Sequence, residues 1–197
     1  MPVEFWFPTP IYYAQVENET LDLIQAELSV AVDAIRDIGA FSKAQGWGVS
    51  THSVSDPTFV DNIIDSCNLT MLKNEIYLHV THYMRELNST VNKKFKIHAS
   101  WLTETKPKEY TRVHNHGDAD ISGVYYFKTN SNDGDITFLS PVQLLPAIIF
   151  TKLKDTVTYK SSIGKLILFP GWMYHTVNEN ESDDTRISVS FNIYFNR

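Results

Sequence analysis

Two histidines and two aspartates lie within seven positions, from His114 to Asp120, in the segment RVHNHGDADISGVYYF. Alternate side chains on an extended strand point to the same side, so His116 and Asp118 could bind one metal ion, and so could His114 and His116. A further histidine, His175, follows a buried-strand pattern in LILFPGWMYHTV. Imidazole and carboxylate groups are common ligands of iron and zinc. We therefore predict a metal site here, rather than a polar turn that happens to contain histidines.

An arginine alternates with apolar residues in the segment RISVSFN, near the end of the chain. In a strand, Arg186 and Ser188 would point to the same face. A buried guanidinium needs an anionic partner and is suited to binding a carboxylate through two parallel hydrogen bonds. The acidic residues just before it, at 181, 183 and 184, lie in a polar turn and should be solvated. We therefore expect Arg186 to bind a carboxylate ligand.

These residues together favour one kind of redox chemistry. Two histidines and one carboxylate occupy one face of Fe(II) and leave positions open for a co-substrate and O₂. An arginine deeper in the fold would hold the far carboxylate of a dicarboxylic co-substrate, which is the arrangement of 2-oxoglutarate-dependent oxygenases.

Two sets of iron ligands remain open at this point. The favoured set is His116, Asp118 and His175, and the alternative set replaces Asp118 with His114. If the favoured set is right, His114 contacts either the substrate or one of the residues that bind the iron. Asp120 is then a solvated turn residue.

The pattern of the chain predicts an α+β protein with a mainly β core. Residues 19–39 have apolar side chains at helical spacing, with Thr20 as N-cap and Gly39 as the end. A short helix over 58–66 is predicted after Pro57, and a long helix follows a cap at Asn68. From about residue 95, eight short segments rich in β-branched and aromatic residues predict strands.

We therefore expect a double-stranded β-helix, a jelly-roll or cupin-like barrel, with N-terminal helices packed on one sheet. The whole chain, 1–197, is predicted to be a single domain, with a helical support over about 1–92 and the β core over about 95–197. The apolar segment 140–154, which contains two prolines, is predicted to be a loop or lid.

The bulk properties limit the class of partner. Net charge is −6, from 17 basic and 23 acidic residues, which argues against a nucleic-acid or anionic-membrane binder. The one cysteine, Cys67, allows no internal disulfide, so we expect a reducing compartment. The N-terminal residues lack a signal-peptide pattern, and we predict a cytoplasmic location. The sequence does not indicate the oligomeric state.

Several segments in order resemble one protein family. FPTPIYY, SW at 100–101, HNHGDADISGVYYF, GKLILFPGWMYHTV and RISVSFN are similar to the 2OG-Fe(II) oxygenases of bacteria and marine phages, which are related to prolyl hydroxylases. The resemblance covers about 95–197 well and the N-terminal third loosely. It implies a double-stranded β-helix fold, and the cytoplasm of a bacterium or of a phage-infected host cell.

The resemblance also implies roles for particular residues. His175 resembles the distal iron ligand, and Arg186 resembles the partner of the 2-oxoglutarate C5 carboxylate. Ser188 and Tyr126 would assist by hydrogen bonding to that carboxylate. No catalytic residue is implied beyond the metal centre.

The implied cofactors and activity follow the family. Fe(II), 2-oxoglutarate and O₂ are expected, with ascorbate as an optional reductant. 2-Oxoglutarate would be decarboxylated to succinate while a substrate, a small molecule or a peptidyl group, is hydroxylated.

A second hypothesis is a cupin-like metal-binding or ligand-binding module without redox chemistry, in which three histidines hold zinc or nickel. A zinc hydrolase is a third, with Asp118 or Asp120 as general base. Neither explains Arg186, which an oxygenase requires.

Overall fold

The structure is a computed structural model that describes residues 8–39, 41–43, 51–54, 62–89, 94–142 and 154–196. These residues form three helices and eleven strands. The elements, in chain order, are β1 (Tyr12–Gln15), α1 (Asn18–Asp37), β2 (Phe41–Lys43), β3 (Thr51–Val54), α2 (Ile63–Ser66), α3 (Thr70–Glu86), β4 (Phe95–Thr105), β5 (Thr111–His114), β6 (Ile121–Lys128), β7 (Ile136–Leu139), β8 (Thr156–Tyr159), β9 (Lys165–Pro170), β10 (His175–Val177) and β11 (Arg186–Phe195).

The strands form two antiparallel sheets. The larger has the order β1-β9-β6-β11-β4-β3-β2, and the smaller has the order β5-β10-β7-β8. An apolar cluster joins the facing sides of the two sheets, with Tyr126 and Phe169 from the larger sheet and Phe138 from the smaller. The fold resembles a double-stranded β-helix, as predicted, although the described strands form two facing sheets rather than a closed barrel. All eight strands predicted after residue 95 are present.

The helices cover the other side of the larger sheet. Alternate residues of β11, such as Val189 and Phe191, are fully buried in a cluster with Ile24 and Leu28 of α1 and Ile76 of α3. Because side chains alternate along a strand, the remaining residues of β11 face the smaller sheet. The predicted packing of N-terminal helices on one sheet is therefore confirmed.

The start of α1 differs from the prediction, whereas Gly39 terminates the helix as predicted. The helix begins at Asn18, so Thr20 lies within it and is not the N-cap. It ends at Asp37, which leaves Ile38 60% exposed instead of continuing the apolar face. Gly39 follows with φ +65°, a left-handed conformation that glycine adopts at low cost after a helix end.

A residue of α1 caps α3. Leu69 is the N-cap of α3 and offers no side-chain hydrogen bond, while Asn68, the predicted cap, adopts φ +53° in the preceding turn. The Glu27 carboxylate accepts hydrogen bonds from the backbone N–H of Met71, at 2.9 and 3.0 Å, and of Leu72, at 3.3 Å. A negative charge at a helix N-terminus is favourable, so Glu27 fixes α3 against α1.

Three strands in the N-terminal region were not predicted. β1 pairs with β9, and β2 and β3 extend the other edge of the larger sheet. β1 lies against α3, where the Tyr12 hydroxyl is 2.7 Å from Nδ1 of His79, whose Nε2 lies 3.0 Å from Glu75. His79 therefore joins β1 to α3.

Two predicted segments lie partly outside the described residues. Of the predicted short helix over 58–66, the structure describes α2 and its N-cap Asn62, whose side chain accepts a hydrogen bond from Asp65 N. Of the predicted loop or lid over 140–154, residues 143–153 are outside the described ranges. No described helix combines the length and the hydropathy needed to cross a membrane.

Candidate metal centre

Three histidines come together where the two strands β5 and β10 meet. His114 ends β5 and lies opposite His175, the first residue of β10. His116 follows shortly after β5, and one nitrogen from each of the three rings lies within 4.8 Å of the other two. His175 is 3% exposed, and His114 and His116 are partly buried. This group could hold a single metal ion.

Backbone carbonyls orient two of the rings. Nδ1 of His114 donates to the carbonyl oxygen of Arg112 at 2.7 Å, and Nδ1 of His175 donates to that of Met173 at 3.0 Å. A carbonyl oxygen can only accept, so each Nδ1 carries the proton and each Nε2 keeps its lone pair for a metal. Such outer hydrogen bonds are typical of metal-binding histidines.

Burial keeps these imidazoles neutral. Desolvation lowers the pKa of His175 to about 3 and that of His116 to about 4, with a smaller contribution from the neighbouring histidine. Desolvation also lowers the pKa of His114. A metal ion binds the unprotonated ring nitrogen, so all three side chains are in the binding form at neutral pH.

A tight turn holds the loop that carries His116. The backbone N–H of His116 donates to the carbonyl oxygen of Gly171 at 2.8 Å. A Cβ on Gly171 would clash with the carbonyl oxygen of Ala119, so only glycine allows the turn after β9 to approach this closely. The same turn leads into His175, and it therefore sets the relative positions of two of the histidines.

The structure leaves Asp118 outside this group. Its side chain is exposed, and its Oδ1 accepts a hydrogen bond from the Tyr194 hydroxyl at 3.1 Å. The strand alternation that would align Asp118 with His116 is lost because β5 ends at His114 and Gly117 turns with φ +62°. The geometry thus favours the alternative ligand set, His114, His116 and His175, over the set with Asp118.

Asp120 also differs from the prediction. It was expected to be a solvated turn residue, but it is partly buried and its Oδ2 accepts a hydrogen bond from Phe195 N at 2.9 Å. Its own N–H donates to the carbonyl oxygen of Ile193 at 3.1 Å. Asp120 therefore fixes the start of β6 to the end of β11.

Arg186 is buried at the start of β11, with 2% of its surface exposed. Its Nη1 donates to the carbonyl oxygens of Asp133 (3.1 Å) and Gly134 (2.6 Å), and its Nη2 donates to Thr105 Oγ1 (2.8 Å). Nε has no hydrogen-bond partner among the described residues. Asp184, one of the acids considered as its partner, pairs with Lys128 instead.

This arrangement leaves one edge of the guanidinium for a ligand. Nε–H has no partner among the described residues, and one N–H of Nη2 lies on the same edge of the guanidinium, so this edge can bind a carboxylate through two parallel hydrogen bonds. Burial lowers the pKa of Arg186. The carboxylates of Asp133 and Asp135 oppose this effect without bonding to the guanidinium directly, and a bound carboxylate would offset the remaining cost of burying the charge. The geometry therefore fits the carboxylate-binding role expected of Arg186.

Ser188 and Tyr126 lie next to Arg186 on the side of the sheet that faces the histidines. They are directly opposite each other on β11 and β6 and are 4% and 2% exposed. Desolvation raises the pKa of Tyr126 to about 12, against a smaller lowering by Arg186, so the phenol stays protonated and can donate a hydrogen bond. Trp101 lies further along on this side, with its ring centroid 5.7 Å from that of His116.

The sequence of residues 99–192 matches a protein family described as "Putative 2OG-Fe(II) oxygenase". The matched range contains the three histidines, Tyr126, Arg186 and Ser188. No curated protein sequence matches the chain.

Several solved structures share the fold. A Pseudomonas putida prolyl-4-hydroxylase is 14% identical, with a TM-score of 0.62 and coverage of 96% of this chain and 93% of that one. The epimerase SnoN, solved with Fe³⁺, α-ketoglutarate and nogalamycin RO, is 14% identical with a TM-score of 0.66, over 94% of this chain and 78% of that one. A viral collagen prolyl hydroxylase from Paramecium bursaria Chlorella virus 1, in complex with 2OG, is 13% identical. Its TM-score is 0.54, and the match covers 92% of this chain and 95% of that one.

The fold, the histidine group and the sequence match agree with one another. The match begins within β4 and ends within β11, and it includes the strands from which the site is built. Over residues 99–192, this chain is similar to the 2OG-Fe(II) oxygenase family.

Proposed function

We propose that this protein is an Fe(II)- and 2-oxoglutarate-dependent oxygenase of the hydroxylase type, in which His114, His116 and His175 bind the iron. The observation that carries the proposal is the pairing of this histidine group with a buried arginine that keeps one edge for a carboxylate. Imidazole nitrogens suit iron, and three ligands leave coordination positions open. Bound iron would supply oxidative decarboxylation of 2-oxoglutarate by O₂, coupled to hydroxylation of a substrate.

Arg186 would anchor the co-substrate. Its Nε and Nη2 would hold the C5 carboxylate, while the carbonyls of Asp133 and Gly134 fix the opposite edge of the guanidinium. Ser188 and Tyr126 would each donate a hydrogen bond from a hydroxyl. These contacts would orient the other end of 2-oxoglutarate toward the histidines.

Aromatic side chains protect the metal site from water. The ring centroids of Phe169 and Phe138 lie 4.8 and 5.8 Å from that of His175. Both phenylalanines are buried in the cluster between the sheets. A site with little water strengthens electrostatic interactions and limits side reactions of a reactive oxidant.

The substrate would be a small molecule or a peptidyl group rather than a nucleic acid, because the net charge of −6 disfavours binding to phosphates. We further propose that ascorbate can act as a reductant. The single cysteine and the family resemblance support a place in the cytoplasm of a bacterium or of a phage-infected host cell.

A metal-binding module without redox chemistry remains the second candidate, because three histidines also suit zinc or nickel. Arg186 distinguishes the two functions. A module that only binds metal leaves its Nε–H unexplained, whereas an oxygenase uses it for the co-substrate.

The test is formation of succinate. Wild-type protein incubated with Fe(II), 2-oxoglutarate and O₂ should produce succinate above a protein-free control even without a substrate, and His175→Ala should not. Wild-type protein that binds iron but yields no succinate above this control, with or without ascorbate, would favour the non-redox module.

A further inference from the structure

A polar pair lies between strands β6 and β11, on the side that faces the histidines. Ser122 Oγ donates to Oδ1 of Asn192 at 2.8 Å, and the two residues are directly opposite each other in the sheet. Ser122 is 0% exposed and Asn192 is partly buried. The neighbouring positions of β6 on this side, Val124 and Tyr126, belong to the cluster between the sheets. Burying a polar pair beside apolar side chains costs desolvation free energy, and a functional role would explain why the pair lies here.

The pair lies on the open side of the metal centre. Along this side of β11, Arg186 and Ser188 are buried, whereas Ser190 and Asn192 are partly exposed. Trp101, opposite Ser190, has its ring centroid 5.7 Å from that of His116. Phe169, opposite Ser122, has its ring centroid 4.8 Å from that of His175. The metal centre therefore lies near the level of Ser190 and Asn192. Asn192 is one alternation beyond Ser190, about 7 Å away along the strand. 2-Oxoglutarate would lie toward Arg186, so Asn192 faces the space that remains for the substrate.

Ser122 fixes which groups Asn192 presents. Because the hydroxyl donates to Oδ1, the carboxamide turns its Nδ2 donors away from Ser122. No other described residue bonds to this side chain. Two N–H groups in that position can recognise an oxygen acceptor, either a carbonyl or a carboxylate.

The surroundings favour a neutral acceptor. Tyr194 is the next residue of β11 on this side, and its hydroxyl is bonded to the exposed carboxylate of Asp118. A substrate carboxylate near Asp118 would be repelled, while an amide could offer its oxygen to Asn192 and its N–H to Asp118. On the basis of the proposed oxygenase function, we propose that Asn192, positioned by Ser122, binds the carbonyl oxygen of an amide group in the substrate. The substrate class is then a peptide or an acylated amino acid.

The test uses a panel of N-acetyl amino acid methylamides as probes. Each probe is added to the protein loaded with Fe(II) and 2-oxoglutarate without O₂, and binding is measured by saturation-transfer NMR of the probe. The variants are Asn192→Asp, which keeps the shape and removes the donors, and Ser122→Ala, which removes the hydroxyl. Asn196→Asp, an exposed position beyond the end of β11, is the matched control for the added charge.

We expect at least one probe to bind the wild type saturably. Its affinity should fall at least about tenfold in Asn192→Asp and less in Ser122→Ala, as for loss of one hydrogen bond to a ligand. The double variant should bind no more weakly than Asn192→Asp alone, because Ser122 acts through Asn192. The affinity for 2-oxoglutarate and the unfolding temperature should not change in Asn192→Asp, which excludes a merely structural effect.

Two results would overturn the inference. Either no methylamide in the panel binds the loaded wild type, or Asn192→Asp binds the same probe as tightly as Asn196→Asp does. Failure of the oxygenase proposal itself is separate, because the wild type would then not bind 2-oxoglutarate in the first step.

Discussion

Each of the three histidines has a distinct support. A carbonyl oxygen orients His114 and His175 through Nδ1, and the backbone of His116 is fixed by Gly171. Supports of this kind hold ring nitrogens in place before a metal binds, which lowers the entropic cost of binding. Asp118 has no such position beside the histidines, and its carboxylate accepts a hydrogen bond from the Tyr194 hydroxyl instead.

The ligand set is testable by comparing two substitutions. His114→Ala should lower the affinity for Fe(II) more than about 100-fold, since loss of a ligand should exceed the cost of losing an outer partner. Asp118→Asn should keep the affinity within a few fold, because this carboxylate is exposed and apart from the group. Anaerobic titration with Fe(II) measures both, and a large loss in Asp118→Asn with none in His114→Ala would restore the first ligand set.

Arg186 is expected to act through its geometry as well as its charge. Arg186→Lys keeps the charge but loses the edge formed by Nε and Nη2, so the affinity for 2-oxoglutarate should fall about tenfold or more. Affinity for iron should not change. The exposed Arg112→Lys is the matched control, and equal 2-oxoglutarate affinity in the two variants would argue against the carboxylate role.

The sequence predicted the residues of the site better than their arrangement. The spacing of His114, His116 and His175 and the alternation around Arg186 identified side chains that the structure brings to facing sheets. The choice between His114 and Asp118 was not predictable, because it depends on where β5 ends and on the positive φ of Gly117. The preference for Asp118 depended on strand alternation beyond His114, which the end of β5 and the turn at Gly117 interrupt.

Among the structural elements, the turn between β9 and β10 positions the histidine group. Gly171 contacts Ala119 so closely that any side chain must displace the loop that carries His116. The three ring nitrogens lie within 4.8 Å of one another, so a small displacement of this loop should separate them.

Substitution of Gly171 should therefore damage the site without removing a ligand. Gly171→Ala is expected to lower Fe(II) affinity at least about tenfold, a loss in the range reported for outer positions that orient metal ligands. Gly39→Ala is the control: its Cβ meets open space, and its left-handed φ should cost about 1 kcal/mol of stability and leave iron binding unchanged. Iron titration together with thermal unfolding separates the two effects, and normal iron affinity in Gly171→Ala would contradict this account of the turn.

Elements with a regular sequence pattern of their own were predicted, whereas three short strands without one were missed. The β-branched and aromatic segments after residue 95 are strongly patterned and were found, as were the helices α1 and α3. The short strands β1, β2 and β3 were missed because β1 is stabilised by pairing with β9, β3 by pairing with β4, and β2 by pairing with β3, which no local pattern reveals. The cap of α3 was missed for the same reason, since Glu27 reaches it from another helix.

At the scale of the whole molecule, the site joins the two sheets. His114 and His175 come from the smaller sheet, His116 comes from the loop after β5, and Arg186 comes from the larger sheet. Iron and 2-oxoglutarate bound together would link the sheets across the cluster that contains Phe138 and Phe169. Ligand binding should therefore stabilise the folded state as a whole.

This linkage predicts a measurable shift in unfolding. At ligand concentrations about 100-fold above the dissociation constant, the free energy of unfolding should rise by about 2.7 kcal/mol. Thermal unfolding without O₂, with Fe(II) and 2-oxoglutarate together, should show the increase in the wild type and not in His175→Ala. The prediction is wrong if the unfolding temperature of the wild type does not depend on ligand concentration.

The most direct test of the central claim is the visible spectrum of the protein with Fe(II) and 2-oxoglutarate in the absence of O₂. The wild type should show a weak metal-to-ligand charge-transfer band. The band should be absent in His175→Ala, and in Arg186→Lys it should require a higher concentration of 2-oxoglutarate. If the wild type binds Fe(II) but shows no such band at any 2-oxoglutarate concentration, this protein is not an oxygenase of this type, and its histidines form a metal-binding site without the co-substrate.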